Sequence, residues 1–585
     1  MFGGYKKMMK KILNAILTLI LFVIKEVASF CIKMILLLFV LTIVFVGIMK
    51  YQAGKEEIRY SKDYTYIEID MGMQFVETSP NLIKEILEPS LSYWNFNELL
   101  KEVEKDQEIE GLIFNVDGIT LNLAQIEEVG KIIKRISKKK KIHMYSASFD
   151  KNSYMFASYG TEIFMPPTES ATSNLTGYNI EIPYYKRLLE KLLIDINVIS
   201  IGEYKSFGEN LTRNKMSQAS EENTRTLLNG KYSLFLERVS KGRKIKIETL
   251  GLEIEKGNFA LATPFYLKEK GIIDKCEYYY NFIKKIGKKN IIGIREYEKK
   301  LLSRREMKLV NRENNLKKLG LIVMSGEINE DSILGKDEKK ITVSNAIELF
   351  DIAFNDNSIE GIILRIDSPG GSALASELIQ NMILTNKNKP VYVSIGSVAA
   401  SGGYYIATAG DKIYLNKESV TGSIGVVSII PDISKFLNKI GIDNTVLKNS
   451  ELGDVYSLKQ PMAEIRREKL IQSNLKVYEE FKSRVAVSRK LTIENVEKIS
   501  KGRVYLGEEA VKIGLADGVL DYEEVVKKLA TDLSLQEYRV ERIRRQNIGI
   551  DVKNYLNVYP SFKFNVNLEN FNKTLFLYNT KKLYF

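Results

Sequence analysis

The chain repeats itself. Residues 109–118 read IEGLIFNVDG and residues 359–368 read IEGIILRIDS, a spacing of 250 residues. At the same offset ASYGTEIFM (157–165) matches ATAGDKIYL (407–415). YTYIEID at 64–70 resembles LGLIVMSG at 319–326, and KGIIDK at 270–275 resembles IGLADG at 513–518. A chain of 585 residues is too long for one ordinary core. The duplication says how it divides: two related α/β units, at roughly 60–290 and 318–530. The full expected organisation is an N-terminal segment 1–55, a first unit 56–290, a charged connection 291–317, a second unit 318–536 and a C-terminal extension 537–585.

Each unit has the same local grammar. GIILRID is an apolar, β-branched run that reads as a buried parallel strand. SALASELIQNMILT at 372–385 has apolar positions at helical spacing, and PVYVSI at 390–395 is the next strand. Strand, helix and strand in succession predict parallel sheets with right-handed helical crossovers. Residues 219–245 and 465–500 read as long charged helices.

The segment before the first unit is different. Residues 34–49, MILLLFVLTIVFVGIM, are uninterruptedly apolar, and 12–24 form a weaker run, with Lys25, Glu26 and Lys33 between them. A spanning helix needs roughly 20 residues, which extension back to Val27 supplies. Lys6, Lys7, Lys10 and Lys11 precede the apolar stretch, so the positive-inside rule keeps the N-terminus in the cytoplasm and the body on the far side. A cleaved signal peptide or a buried core helix are the competing readings. Of the formal net charge of +13, residues 1–50 carry +6 (seven Lys, one Glu), which leaves a weak bias elsewhere and no basic, aromatic motif of a nucleic-acid reader. Two cysteines, Cys31 and Cys276, and one histidine, His143, argue against a structural disulfide, a metal site or a Ser-His-Asp triad. No cofactor is expected.

The second unit carries three glycine-rich signals: DSPGGS (Asp367–Ser372), GSVAASGGYYIATAGD (Gly396–Asp411) and TGSIG (421–425). Pro369, Gly370 and Gly371 make a turn whose exposed N–H groups can hold an anion, although SPGG also makes an ordinary strand-to-helix turn. Ser401 stands between a strand end and Gly402–Gly403, where small residues allow a sharp turn that lifts its hydroxyl clear. A capping role is the alternative. Adjacent parallel strands would bring both loops to one sheet edge, with the third loop lining the same region. A serine hydroxyl needs a base. With one unpromising histidine, a neutral lysine is the alternative, and Lys205 in IGEYKSFGENLTR follows an apolar strand. On pattern alone it is not distinguished from a surface lysine.

The set GEYKSFGEN, DSPGGS, SVAASGGYYIA, VTGSIG and GRVYLGEEAVKIGLAD (502–517) resembles the signal peptide peptidase A family in its long form, with two tandem ClpP/crotonase-like units, over about residues 60–530. The resemblance implies that Lys205 is the general base and Ser401 the nucleophile. It assigns the oxyanion-binding backbone to Gly370, Gly371 and Gly402, with Gly371 the better donor by similarity to ClpP-like proteases; Gly403 and Ser423, in the neighbouring glycine-rich strings, complete the candidate oxyanion and substrate-binding set. It implies remnant signal peptides and other extended apolar peptides as substrates, a homotetramer, and a place in the bacterial inner membrane with the catalytic body outside the cytoplasm. The first unit has VDGIT in place of IDSPGG and FDKNSYMFASYG in place of VAASGGYYIATAG, and the second has GDVYS where the first has GEYKS. One complete site per chain follows. The family usually continues Y-K-S with an E-P-F type element, replaced here by Phe207, Gly208, Glu209, Asn210 and Leu211. A crotonase-type acyl-CoA enzyme and a silent membrane scaffold are the rival readings.

Overall fold

The computed structural model describes residues 64–77, 91–306, 316–330 and 340–544, with isolated helical positions between 25 and 44. Most of the expected anchor 1–55 and of the extension after 537 therefore lies outside the described residues, and among those described no helix is long and apolar enough to cross a membrane. The described residues from Thr65 onward pack as one compact unit.

The duplication in the sequence is a duplication of sheets. The first unit has six parallel strands in the order Lys275–Cys276, Glu162–Met165, Lys141–Tyr145, Gly111–Asn115, Tyr66–Asp70, Ile291–Gly293. The second repeats that order with Gly518–Val519, Lys412–Leu415, Val391–Ala400, Ile359–Ser368, Lys317–Ser325 and Tyr538–Arg542. Every repeated string falls on, or leads into, the equivalent strand. In Ile359–Ser368 eight of ten residues are buried, as a strand covered on both faces requires. The second sheet adds Val420–Gly422, parallel to Val391–Ala400, and Val504–Leu506, antiparallel to that.

Three boundaries differ from expectation. Ile291–Gly293, assigned to the connection, completes the first sheet beside Tyr66–Asp70. Tyr538–Arg542, assigned to the extension, pairs with Lys317–Ser325. Both cover an edge whose N–H and C=O groups would otherwise be unpaired; charge composition hid them. The helix expected over 465–500 is two, Glu464–Arg489 and Ile493–Ile499, because Lys490 turns left-handed at φ 55° and Thr492 caps the second start. The other long helix, Gln218–Arg243, is continuous. His143 sits on a strand with Nδ1 2.7 Å from Glu162 Oε2 and its ring against Phe282, a structural role.

Two features join the units. Asp195–Ile201 of the first pairs antiparallel with Val426–Asp432 of the second, with Ile201 opposite Val426. Behind the sheet edge, Arg365 (0% exposed) binds two carboxylates of the first unit, Glu128 at 2.7 Å and Glu77 at 3.2 Å. Tyr93 and Asn416 donate to the same Glu128. A charge buried this deeply is tolerated only with such partners.

Candidate active site

Val391–Ala400 ends where the helix Gly402–Ala407 begins, and Ser401 is the one residue between them. Its backbone has φ 57° and ψ −122°, a conformation that costs an L-residue energy and persists only where its surroundings enforce it. The enforcement is visible. The Ser401 amide donates to the Gly422 carbonyl at 2.8 Å, and its own carbonyl accepts from Tyr405. A Cβ on Gly370 would lie 2.8 Å from Ser401 Cβ, and one on Gly403 would lie 2.7 Å from the Ser368 carbonyl. At the corresponding place the first unit has Lys151, the opening residue of a helix capped by Asp150 at an ordinary φ of −96°. The sharp turn is therefore confined to the second unit.

Lys205 arrives from the other unit. The ribbon strand Asp195–Ile201 runs along the second unit and ends at Gly202; Tyr204 N–H then donates to the Lys501 carbonyl at 2.9 Å. A Cβ on Gly502 would lie 2.5 Å from the Lys205 amide nitrogen, so only glycine permits this approach. Lys205 Nζ lies 2.9 Å from Ser401 Oγ, 3.0 Å from Ser423 Oγ and 3.1 Å from the Ser423 carbonyl oxygen. Lys205 is 5% exposed and Ser401 2%. Burial, with no carboxylate to offset it, pushes the Lys205 amine down to about 7. A neutral amine has two N–H donors and one lone pair. The two oxygens of Ser423 match the donors, which leaves the lone pair for the Ser401 proton.

The Gly370–Gly371 turn closes the other side. Ile328 N–H donates to the Gly370 carbonyl at 2.9 Å and the Ile328 carbonyl accepts from Ser372 at 2.8 Å, which leaves the Gly371 amide on the opposite edge. A Cβ on Gly402 would be 3.4 Å from that Gly371 nitrogen. Gly402 is the first residue of its helix, where an amide has no intrahelical acceptor. The two N–H groups can thus serve one anion. Just upstream, Asp367 accepts from Val398 N–H at 3.0 Å and Asn122 of the first unit at 3.2 Å. Its carboxyl is pushed up to about 6, by burial first and by nearby Glu77 second. Asp117, its counterpart in the first unit, holds the amides of Ala147 and Ser148 in the same way, so this carboxylate is a clamp between strands.

Of the seven residues singled out in the sequence, Ser401, Lys205, Gly370, Gly371 and Ser423 line one cleft of about 580 Å³. Gly402 adjoins the cleft as the residue after Ser401, at the start of the helix. One expectation changes. Gly403 packs against the strand at Ser368 as a spacing glycine and is not among the residues lining the cleft. Ser423 lines the cleft and also meets the Lys205 amine. Gly502 and the Gly422 carbonyl were not singled out as site residues; the signals were Gly502 at the head of GRVYLGEEA and the TGSIG loop that contains Gly422. Among the described residues no group of acidic, histidine or cysteine side chains could hold a metal.

Comparisons with known proteins give the family. The model of peptidase family S49 matches twice, over residues 134–289 and 383–536, and that of the Clp protease matches 321–419. Protease 4 of Haemophilus influenzae is 27% identical over 482 residues, covering 77% of this chain and 75% of the relative. Protease 4 of Salmonella typhi is 25% identical and covers 90% of this chain and 88% of its own length. The chloroplastic serine protease SPPA of Arabidopsis thaliana is 29% identical, over 75% of this chain and 65% of the relative. The chain belongs to peptidase family S49: it is a serine protease of the long, tandem-unit signal peptide peptidase A form with a ClpP-like fold.

Proposed function

We propose that the protein is a membrane-anchored serine endopeptidase that degrades remnant signal peptides and other extended apolar peptides through a Ser401/Lys205 dyad. The observation that carries this reading is the 2.9 Å approach of a buried lysine amine to a buried serine hydroxyl on a strained turn. Neutral Lys205 takes the Ser401 proton as Oγ attacks the peptide carbonyl. The Gly371 and Gly402 amides hold the oxyanion, and Lys205 returns the proton to the departing amine. Water then attacks the ester, with Lys205 again the base, and Ser401 is regenerated. The apolar side chains of Ile182, Phe207 and Leu227 along the cleft suit an extended apolar substrate.

The apolar run 34–49 behind four lysines supports anchoring in a bacterial inner membrane, with the body on the extracytoplasmic side. Exposed Leu188, Leu192, Ile440 and Leu447, near the inter-unit ribbon, support a homo-oligomer, taken here as a tetramer. The test is hydrolysis of an internally quenched apolar peptide by the full chain in detergent. Ser401→Ala and Lys205→Ala should each abolish turnover while the assembly keeps its size. Turnover that survives either substitution rejects the dyad, and release of the protein from membranes by alkaline carbonate rejects the anchor.

A further inference from the structure

We infer that Glu327 is a specificity residue that selects a Lys or Arg side chain in the peptide segment passing the oxyanion loop. The inference rests on the protease reading above and adds a polar requirement to its apolar one.

Two carboxylates line the cleft, Glu209 and Glu327, and one cation, Lys205. Lys205 must be neutral to act as base, so the working cleft carries an uncompensated negative charge. Glu209 is already engaged, its Oε2 accepting the Ser217 N–H at 3.1 Å. Glu327 is exposed, and among the described residues its carboxylate meets only the Asn329 amide, at 3.2 Å. Among the described residues no lysine or arginine stands within ion-pair distance of it. Several acidic groups packed between the two units do have such a partner, namely Glu77, Glu128, Asp521 and Glu523. Among the described residues Glu327 has no such partner, and it stands in the cleft that receives substrate.

The position is also fixed. The Glu327 carbonyl accepts from Ile341 N–H at 3.0 Å, and the next residue, fully buried Ile328, is bonded on both sides to the Gly370–Ser372 turn. Glu327 therefore cannot move away from the oxyanion loop without taking that loop with it. A substrate lying across Gly371 would pass an apolar wall from the first unit on one side and this carboxylate on the other. Extended peptides alternate their side chains, so an apolar residue directed to Phe207 and a basic one directed to Glu327 can both be accommodated. Because the ion pair would exist in the ground state and the transition state alike, its effect belongs in KM rather than kcat.

The test uses quenched peptides identical except for Lys or norleucine, placed in turn at four positions on each side of the scissile bond. At low salt one position should favour Lys over norleucine by roughly three- to fivefold in kcat/KM, as suits a part-exposed ion pair. The gain should sit in KM and shrink towards one in 0.5 M NaCl, where the Debye length is only about 4 Å. In Glu327→Gln the ratio should fall to about one, and in Glu327→Lys it should invert. A Lys preference undiminished in Glu327→Gln, or no preference at any position in wild type, overturns the inference. Those outcomes leave the Ser/Lys reading standing as long as Ser401→Ala abolishes cleavage of both peptides; cleavage that persists in Ser401→Ala is the failure of that reading instead.

Discussion

Replacing Lys205 by Met should abolish activity and yet stabilise the protein at neutral pH. The methionine keeps the apolar stem and removes the amine. Burial holds that amine at about 7, against an ordinary 10.5. The unfolded chain therefore binds this proton more tightly than the folded one between those two values, and wild-type stability rises with pH across the same window. Each pH unit in it is worth ~1.4 kcal/mol. Folding around the lysine thus costs ~5 kcal/mol at pH 7 and below, and almost nothing near pH 10.5. Against this stand the three contacts of Nζ with Ser401 and Ser423, at about 1 kcal/mol each. Lys205→Met should be more stable than wild type by ~2 kcal/mol at pH 6 to 7, equal to it near pH 8 to 9, and less stable by a similar amount at pH 10. Paired thermal melts of the two proteins from pH 6 to 10 read the difference directly. A gap that stays constant over that range would refute the claim that the site holds a neutral amine by desolvation.

Gly371→Ala places a Cβ 2.0 Å from the Ile328 carbonyl at φ 151°, so the oxyanion turn must shift; steady-state assays should find kcat/KM lowered by about 10²–10³. Arg365→Met leaves Glu77 and Glu128 buried together without their cation, and denaturation should show a loss of ~3–5 kcal/mol. The Glu418 carboxyl is pushed up to about 8, by burial first and Glu127 second. Its folded value lies above its unfolded one, so wild type loses stability as pH rises from about 4.5 to 8. Glu418→Gln lacks that loss, and melts across this range should show the variant gaining on wild type by up to ~5 kcal/mol.

The β-branched run GIILRID and its copy at 109–118 made the parallel sheets legible, because a strand buried on both faces must be apolar throughout. The glycines around Ser401 were legible for a similar reason, since only small residues fit where a turn meets a neighbouring strand. The partner of Ser401 was not. Lys205 lies 196 residues away in another unit, and its pKa is lowered by desolvation that exists only after the ribbon pairs and Gly502 admits its backbone. One lysine in a polar loop looks like any other until then, and the resemblance to a known family singled it out. The edge strands Ile291–Gly293 and Tyr538–Arg542 were missed because their neighbourhoods are charged and their pairing is decided by a distant edge. The place of Ser423 in the cleft was legible, since a loop's position follows from strand order, but its contact with Lys205 was not, because the direction of a hydroxyl does not follow from that order.

The most direct measurement is the rate at which an active-site serine probe, such as a fluorophosphonate, acylates the full chain as a function of pH, with the labelled residue identified by mass spectrometry. The account predicts a label on Ser401, a rate that climbs through about pH 7 as Lys205 loses its proton, and no comparable labelling of Lys205→Met. A rate flat from pH 6 to 9, or labelling of Lys205→Met as fast as wild type, would contradict it.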